Sequence, residues 1–86
     1  MEINKSASAG TLESSDVLVS VKKNNGLKLD IQSDVMEQYG DSIKEIIENT
    51  LEELNVKNAQ VKVNDKGALD YTIKARLKTA LERASK

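Results

Sequence analysis

From Val17 to Ile31, apolar residues fall on every second position. Val17, Val19 and Val21 alternate with Leu18, Ser20 and Lys22, the spacing that sends side chains to opposite faces of a strand. Lys23-Asn24-Asn25-Gly26 interrupts the run as a turn, because Asn and Gly tolerate positive φ. Leu27, Leu29 and Ile31 then resume the alternation, so a β-hairpin is predicted over 17–31. After Ser33 the period lengthens. Val35/Met36, Tyr39, Ile43, Ile46/Ile47, Thr50/Leu51 and Leu54 recur at three- and four-residue steps, which predicts an amphipathic helix capped by Ser33 or Asp34 and ending near Asn55. Gly40 lowers helix propensity by about 1 kcal/mol relative to Ala, which allows a kink or a later start. Ala59, Val61 and Val63 mark a third strand, and Asp65-Lys66-Gly67 punctuates. A second helix follows, marked by Leu69, Ile73, Leu77, Ala80/Leu81 and Ala84, with Asp65 suited to its N-cap.

Residues 1–15 show no period and are predicted as a flexible N-terminal segment ahead of a single domain over 16–86. The order β-β-α-β-α predicts an α+β fold: a small three-stranded sheet with both helices packed on one face. If the strands flanking the first helix run parallel, their crossover should be right-handed.

Composition narrows the chemistry. The chain has 86 residues, a net charge of −1 and no Cys, His, Trp or Pro. Leu, Ile and Val supply about a quarter of it, enough for a core. Without Cys or His there is no zinc site, thiolate nucleophile or Ser-His triad to assemble. The lack of cysteine fits a reducing cytosol, and a cytoplasmic location is expected. No apolar run approaches the ~20 residues that span a bilayer, and Met1-Glu2-Ile3-Asn4-Lys5 lacks a signal-peptide layout. Aromatic residues at 2% and the near-zero net charge argue against a nucleic-acid surface. Charge is nonetheless uneven. The first helix carries Asp34, Glu37, Asp41, Glu45, Glu48, Glu52 and Glu53 against Lys44 alone, whereas residues 65–86 are net basic. Two solvated faces that attract each other account for this, and an acidic docking face for a basic partner is the alternative.

A chain so poorly equipped for catalysis can still act through a group attached to it. The exposed hydroxyls of Ser6, Ser8, Ser14 and Ser15 are all accessible to a transferase on composition alone. Gly10-Thr11-Leu12-Glu13-Ser14-Ser15-Asp16 ahead of a valine-rich strand, Asp65-Lys66-Gly67-Ala68-Leu69-Asp70, and Ala75-Arg76-Leu77 running to Glu82-Arg83-Ala84-Ser85 together resemble the citrate lyase acyl carrier (gamma subunit) family along essentially the whole chain. The resemblance implies a non-catalytic carrier. Ser14, two residues before Asp16, would bear 2'-(5''-phosphoribosyl)-3'-dephospho-CoA through a phosphodiester. The terminal thiol of that arm would hold acetyl and citryl as thioesters while citrate is cleaved to acetate and oxaloacetate. The implied partners are the transferase (alpha) and lyase (beta) subunits and a prosthetic-group transferase, with no nucleic acid and no membrane. The lack of cysteine agrees on one point: any acyl thioester needs an attached thiol.

Other readings stay beside this one. A malonate decarboxylase carrier resembles the same serine motif. Asp41-Ser42-Ile43 resembles a phosphopantetheine site, although Ser42 with Glu45 also suits a capping pair if the helix begins after Gly40. A non-covalent interaction module is the third. Lys66 and Gly67, expected in the first turn of the final helix, are candidate contacts for a phosphate of the arm, since free amides and the dipole gather there. A plain strand-to-helix turn is the simpler account. The two differ in whether Lys66 must lie near Ser14.

Overall fold

A computed structural model describes all residues 1–86. Its elements are β1 (Ala7–Gly10), β2 (Val17–Lys22), β3 (Leu27–Ser33), α1 (Met36–Glu53), β4 (Ala59–Asp65) and α2 (Asp70–Ala84). The α+β class and the two helices on one face are as the sequence predicts, but the sheet has four strands, in the order β1-β2-β4-β3. No helix is long and apolar enough to cross a membrane.

The predicted hairpin over 17–31 is not formed. β2 and β3 both pair with β4, β2 antiparallel and β3 parallel, so β4 sits between them. The reason lies in relative burial. Ala59, Val61, Val63 and Asp65, the inward residues of β4, are all buried, whereas Leu27 is exposed and Leu29 and Ile31 only half-buried. A strand whose inner positions are all covered takes the centre, and β3, with Leu27 exposed, becomes an edge. The 23–26 connection bridges the gap, with Gly26 at φ +86°. The Gly26 amide donates to Asn58 Oδ1 at 2.9 Å, and its carbonyl accepts from the Ala59 amide at 3.0 Å.

The true hairpin lies earlier. Ala7–Gly10 pairs antiparallel with β2, from Ala7↔Val21 to Gly10↔Leu18. Residues 1–10 are therefore not a loose segment. Ile3 is buried in the core, the Asn4 and Lys5 amides donate to the Ala84 carbonyl, and Arg83 donates to the Ser8 carbonyl at 2.9 Å. Ala-Ser-Ala-Gly has no strand propensity of its own. It is recruited by the edge of β2, and its small side chains let α2 lie against it.

Both helices cover one sheet face. Ile43, Ile47 and Leu51 of α1 and Ile73, Leu77, Ala80, Leu81 and Ala84 of α2 meet Val17, Val19, Val21, Ala59, Val61 and Val63 in one core. α1 runs through Gly40 without interruption and begins at Met36, with Val35 at the N-cap position and no side-chain cap. Ser33 and Asp34 do not cap it. Ser33 closes β3 and donates its hydroxyl to Asp65 at 2.7 Å, and Asp34 instead faces Lys66 at 3.5 Å. The stop near Asn55 is as predicted and has a clear cause. Asn55 adopts φ +55°, its amide donates to the Glu52 carbonyl, and the Val56 amide donates to the Leu51 carbonyl, a Schellman closure with Val56 and Leu51 both buried. The attraction between the helices is narrow: Glu53 alone among the acids of α1 pairs with α2, reaching Lys74 at 3.2 Å and Lys78 at 3.8 Å.

Asp65 is fully buried at the end of β4. One carboxylate oxygen accepts from the Ser33 hydroxyl at 2.7 Å and the Gly67 amide at 3.2 Å, and the other from the Ala68 amide at 2.9 Å. Asp65 therefore holds the connection into α2 rather than capping it. The helix starts at Asp70, after Leu69, and Lys66-Gly67 lie before its first turn. Replacing Asp65 by Ala strands three donors in or beside the core, at a cost of about 3 kcal/mol. A denaturant titration of Asp65→Ala should show the midpoint falling accordingly, and Asp65→Asn should lose less.

Candidate functional site

Residues 11–16 form the loop of the β1–β2 hairpin and carry Ser14. Entry to the loop requires Gly10. At φ +94°, a Cβ on Gly10 would lie 1.8 Å from the Val17 carbonyl oxygen, so no side chain is tolerated. At the tip, the Asp16 amide donates to the Glu13 carbonyl at 3.1 Å, closing a four-residue turn with Ser14 and Ser15 at its centre. Ser15 adopts φ +65° while Ser14 does not share the positive region. That is the pattern of a type II turn, in which the third residue is ordinarily Gly or Asn. Both serines are exposed. The turn therefore presents Ser14 at its corner, and Ser15 takes the left-handed conformation that the turn demands.

Asp16 fixes this turn to the body of the domain. Its carboxylate accepts from the Thr11 hydroxyl at 2.7 Å and from the Val17 amide at 2.8 Å. Arg76 of α2 donates to both oxygens, Nε to Oδ1 at 3.2 Å and Nη2 to Oδ2 at 3.0 Å, a two-pronged contact that fixes direction as well as distance. Thr11 Oγ1 also accepts from the Glu13 amide at 3.2 Å. Donation from Thr11, from the Val17 amide and from Arg76 lowers the Asp16 pKa to about 2. Asp16 is the pedestal on which the Ser14 turn stands.

Lys66 lies against the same loop. Its amide donates to the Asp16 carbonyl at 2.9 Å, and its carbonyl accepts from the Ser15 amide at 2.8 Å. The proximity that a phosphate contact would require is thus present, although 52 positions separate Ser14 from Lys66. The helix-dipole part of that expectation is not: α2 begins beyond Lys66 and Gly67, and the Gly67 amide is already engaged by Asp65. Gly67 holds φ +87° with open space around its α-carbon, so its need for glycine comes from the turn. Ser42 is exposed on the second turn of α1, inside the helix. A start after Gly40, and with it the capping role of Ser42, is excluded by the helix beginning at Met36.

Arg76 is the residue of the site that sequence reasoning left unassigned. Its position in the Ala75-Arg76-Leu77 block was visible, but its partner is 60 positions away in the chain.

The chain matches the malonate decarboxylase delta subunit (MdcD) acyl carrier family over residues 4–84. It is 58% identical to the citrate lyase acyl carrier protein of Halothermothrix orenii, over 100% of this chain and 93% of that one. It is 51% identical to the protein of the same name from Lactiplantibacillus plantarum, over 98% and 88% of the two chains. The fold is similar to that of a chain in a Pseudomonas malonate decarboxylase hetero-tetramer crystallised with malonate, with a TM-score of 0.81 over 98% of this chain and 92% of that one at 17% identity.

Because the folded pKa of Asp16 lies below its unfolded value of 3.8, its contribution to stability is complete above that value and is lost as pH falls toward about 2. The stability difference between the wild-type chain and Asp16→Asn should accordingly shrink over that interval. By carboxyl-carbon NMR, Asp16 should titrate near 2 in the wild-type chain and move back toward 3.8 in Arg76→Gln. A wild-type midpoint at 3.8 would mean that the clamp does not form in solution.

Proposed function

Because the chain belongs to the citrate lyase acyl carrier protein family and is thus a non-catalytic carrier subunit of a multi-subunit complex, we propose that Ser14 bears 2'-(5''-phosphoribosyl)-3'-dephospho-CoA through a phosphodiester. The supporting observation is the near full-length identity to citrate lyase acyl carrier proteins combined with a serine at the exposed corner of a turn that the rest of the domain holds in place. The residues present suit such a group. A hydroxyl on an exposed corner is open to a modifying transferase, and the Lys66 ammonium, half-buried and only weakly engaged by Asp34, can turn toward a phosphodiester. The arm supplies a thiol, which this chain lacks, so that acyl groups can be carried as thioesters.

The chain's own residues do the positioning. Gly10 closes the hairpin, Ser15 absorbs the left-handed backbone, and Asp16 with Arg76 keeps the attachment point from drifting. The citrate lyase transferase (alpha) and lyase (beta) subunits are the proposed partners in the cytoplasm, and catalysis is theirs. Tethering lets one acyl group visit both sites at high effective concentration. A malonate decarboxylase carrier is the second reading, favoured by the family match. Citrate is preferred because the relatives at 58% and 51% identity are citrate lyase carriers, and assay of the assembled complex on citrate against malonate separates the two.

Intact mass of the chain from its native host should exceed that of the bare sequence by the mass of the arm. The bare mass in a host with active citrate lyase would overturn the proposal. Ser14→Ala should abolish both the added mass and citrate cleavage by the reconstituted complex. Its melt should stay within what an exposed-loop change produces, about 0.5 kcal/mol. Ser15→Ala and Ser42→Ala should keep the added mass. Loss of the arm in Ser42→Ala instead would move the site to α1.

A further inference from the structure

Beside Lys66, the start of α1 and the approach to α2 leave a groove of about 540 Å³ lined mainly by apolar residues, among them Val35, Tyr39, Ile43, Ala68, Leu69 and Tyr71. Its rim is unusual for so small a domain. Tyr39, Leu69 and Tyr71 are 58%, 60% and 72% exposed, and the two tyrosines are the only aromatic residues of the chain. Core packing accounts for neither ring. The groove also begins where the Ser14 loop ends: Gly67 lines it, and the preceding residue is bonded through its backbone to Ser15 and Asp16. A second hollow, of about 400 Å³, lies on the open face of the sheet among Ser6, Ser8, Ser20, Lys22, Gln60 and Lys62. That hollow lacks an aromatic ring and lies toward the other end of the strands, where Lys22 pairs with Gln60.

We infer that the groove between the starts of α1 and α2 is the resting site of the adenosine of the arm borne by Ser14, with the base stacked on Tyr71 or Tyr39 and the adjoining phosphate beside Lys66. The inference rests on the Ser14 reading. Its occupant follows from order along the arm: from Ser14 outward come a phosphate, a ribose and then the adenosine, with the pantetheine and thiol beyond. The adenosine is thus the one flat, π-faced part close to the attachment point, and the groove is the one apolar, aromatic-lined surface there. A base gains by stacking on an exposed ring whatever its sequence context, and a lysine between the groove and the serine meets the charge of the phosphates. Anchoring the nucleotide shortens the part of the arm that swings. The thiol end stays free while its root is held, and less ordering is left for the moment of docking on a partner.

With no Trp and both tyrosines in the groove, intrinsic tyrosine emission reports on its occupancy. The experiment compares the loaded chain, verified by intact mass to carry one arm at Ser14, with the unloaded chain. Emission of the loaded chain should be lower, by up to about half when one of two equally emitting rings is stacked on the base, and its amide resonances should shift at Tyr39, Ala68, Leu69 and Tyr71 as well as around Ser14. Loaded Tyr71→Leu and Tyr39→Leu chains distinguish the two rings, and the ring that stacks is the one whose replacement removes the quenching. Loaded chain with unchanged emission, and with shifts confined to Thr11–Asp16 or appearing on the open sheet face, would overturn the inference while leaving Ser14 as the attachment site. Absence of the arm by mass would instead overturn the reading beneath it.

Discussion

A fully buried carboxylate at the end of the central strand organises this domain. Charge inside a core is tolerated only where donors surround it, and Asp65 draws its donors from the end of β3 and from the connection into α2. Asp65 also stands opposite Val17 on one side and Ser33 on the other. One level of the sheet therefore joins the start of β2, the end of β3 and the end of β4. The Ser14 loop leaves from this level, as do the segments that lead into both helices. Burying one acid thus gathers onto a single end of the domain everything that the proposed function uses.

The serine turn on that end is stable for reasons that are only partly local. A turn with a non-glycine residue at φ +65° is unfavourable by itself, and a six-residue loop has entropy to lose on ordering. The opposing force comes from Asp16, whose carboxylate joins Thr11 inside the loop to Arg76 on α2. Two backbone bonds between Lys66 and the Ser15–Asp16 segment add a second tie. The proposed attachment point is consequently held in place, and the freedom a carrier needs is left to the arm.

Helix and strand periods were legible because each element shows one apolar face to one core. The stop at Asn55 was legible too, since a left-handed residue after the last turn is a local requirement. What escaped was competition between elements. Nothing within 17–31 says that β4 will displace β3 from β2, because that outcome depends on how fully a strand outside the segment is buried. Ala7–Gly10 has no strand signal at all and exists through the open edge of β2 and the nearness of α2. The site divides in the same way. Ser14 is proposed from resemblance and from the composition of its loop, while Arg76 and Lys66 reach that loop through tertiary folding. An arginine on an amphipathic helix looks like any solvated charge until its partner is known.

A carrier subunit faces two demands that pull against each other: its cargo must travel, and its partners must find it in a defined place. A wholly flexible N-terminal segment, as the sequence predicts for residues 1–15, meets the first at the expense of the second, because each docking event would have to order the chain as well as the arm. The structure resolves this by stitching residues 1–10 onto α2 and β2 and bracing the loop with Asp16 and Arg76. Only the covalently attached group is then left to search, about a fixed origin. Effective concentration depends on tether length relative to the span between sites, so a fixed root makes that length a property of the arm alone. The domain needs no catalytic residues for this purpose. On the proposed reading it needs a buried acid to set one end, an ion pair to hold one turn, and an exposed serine on top.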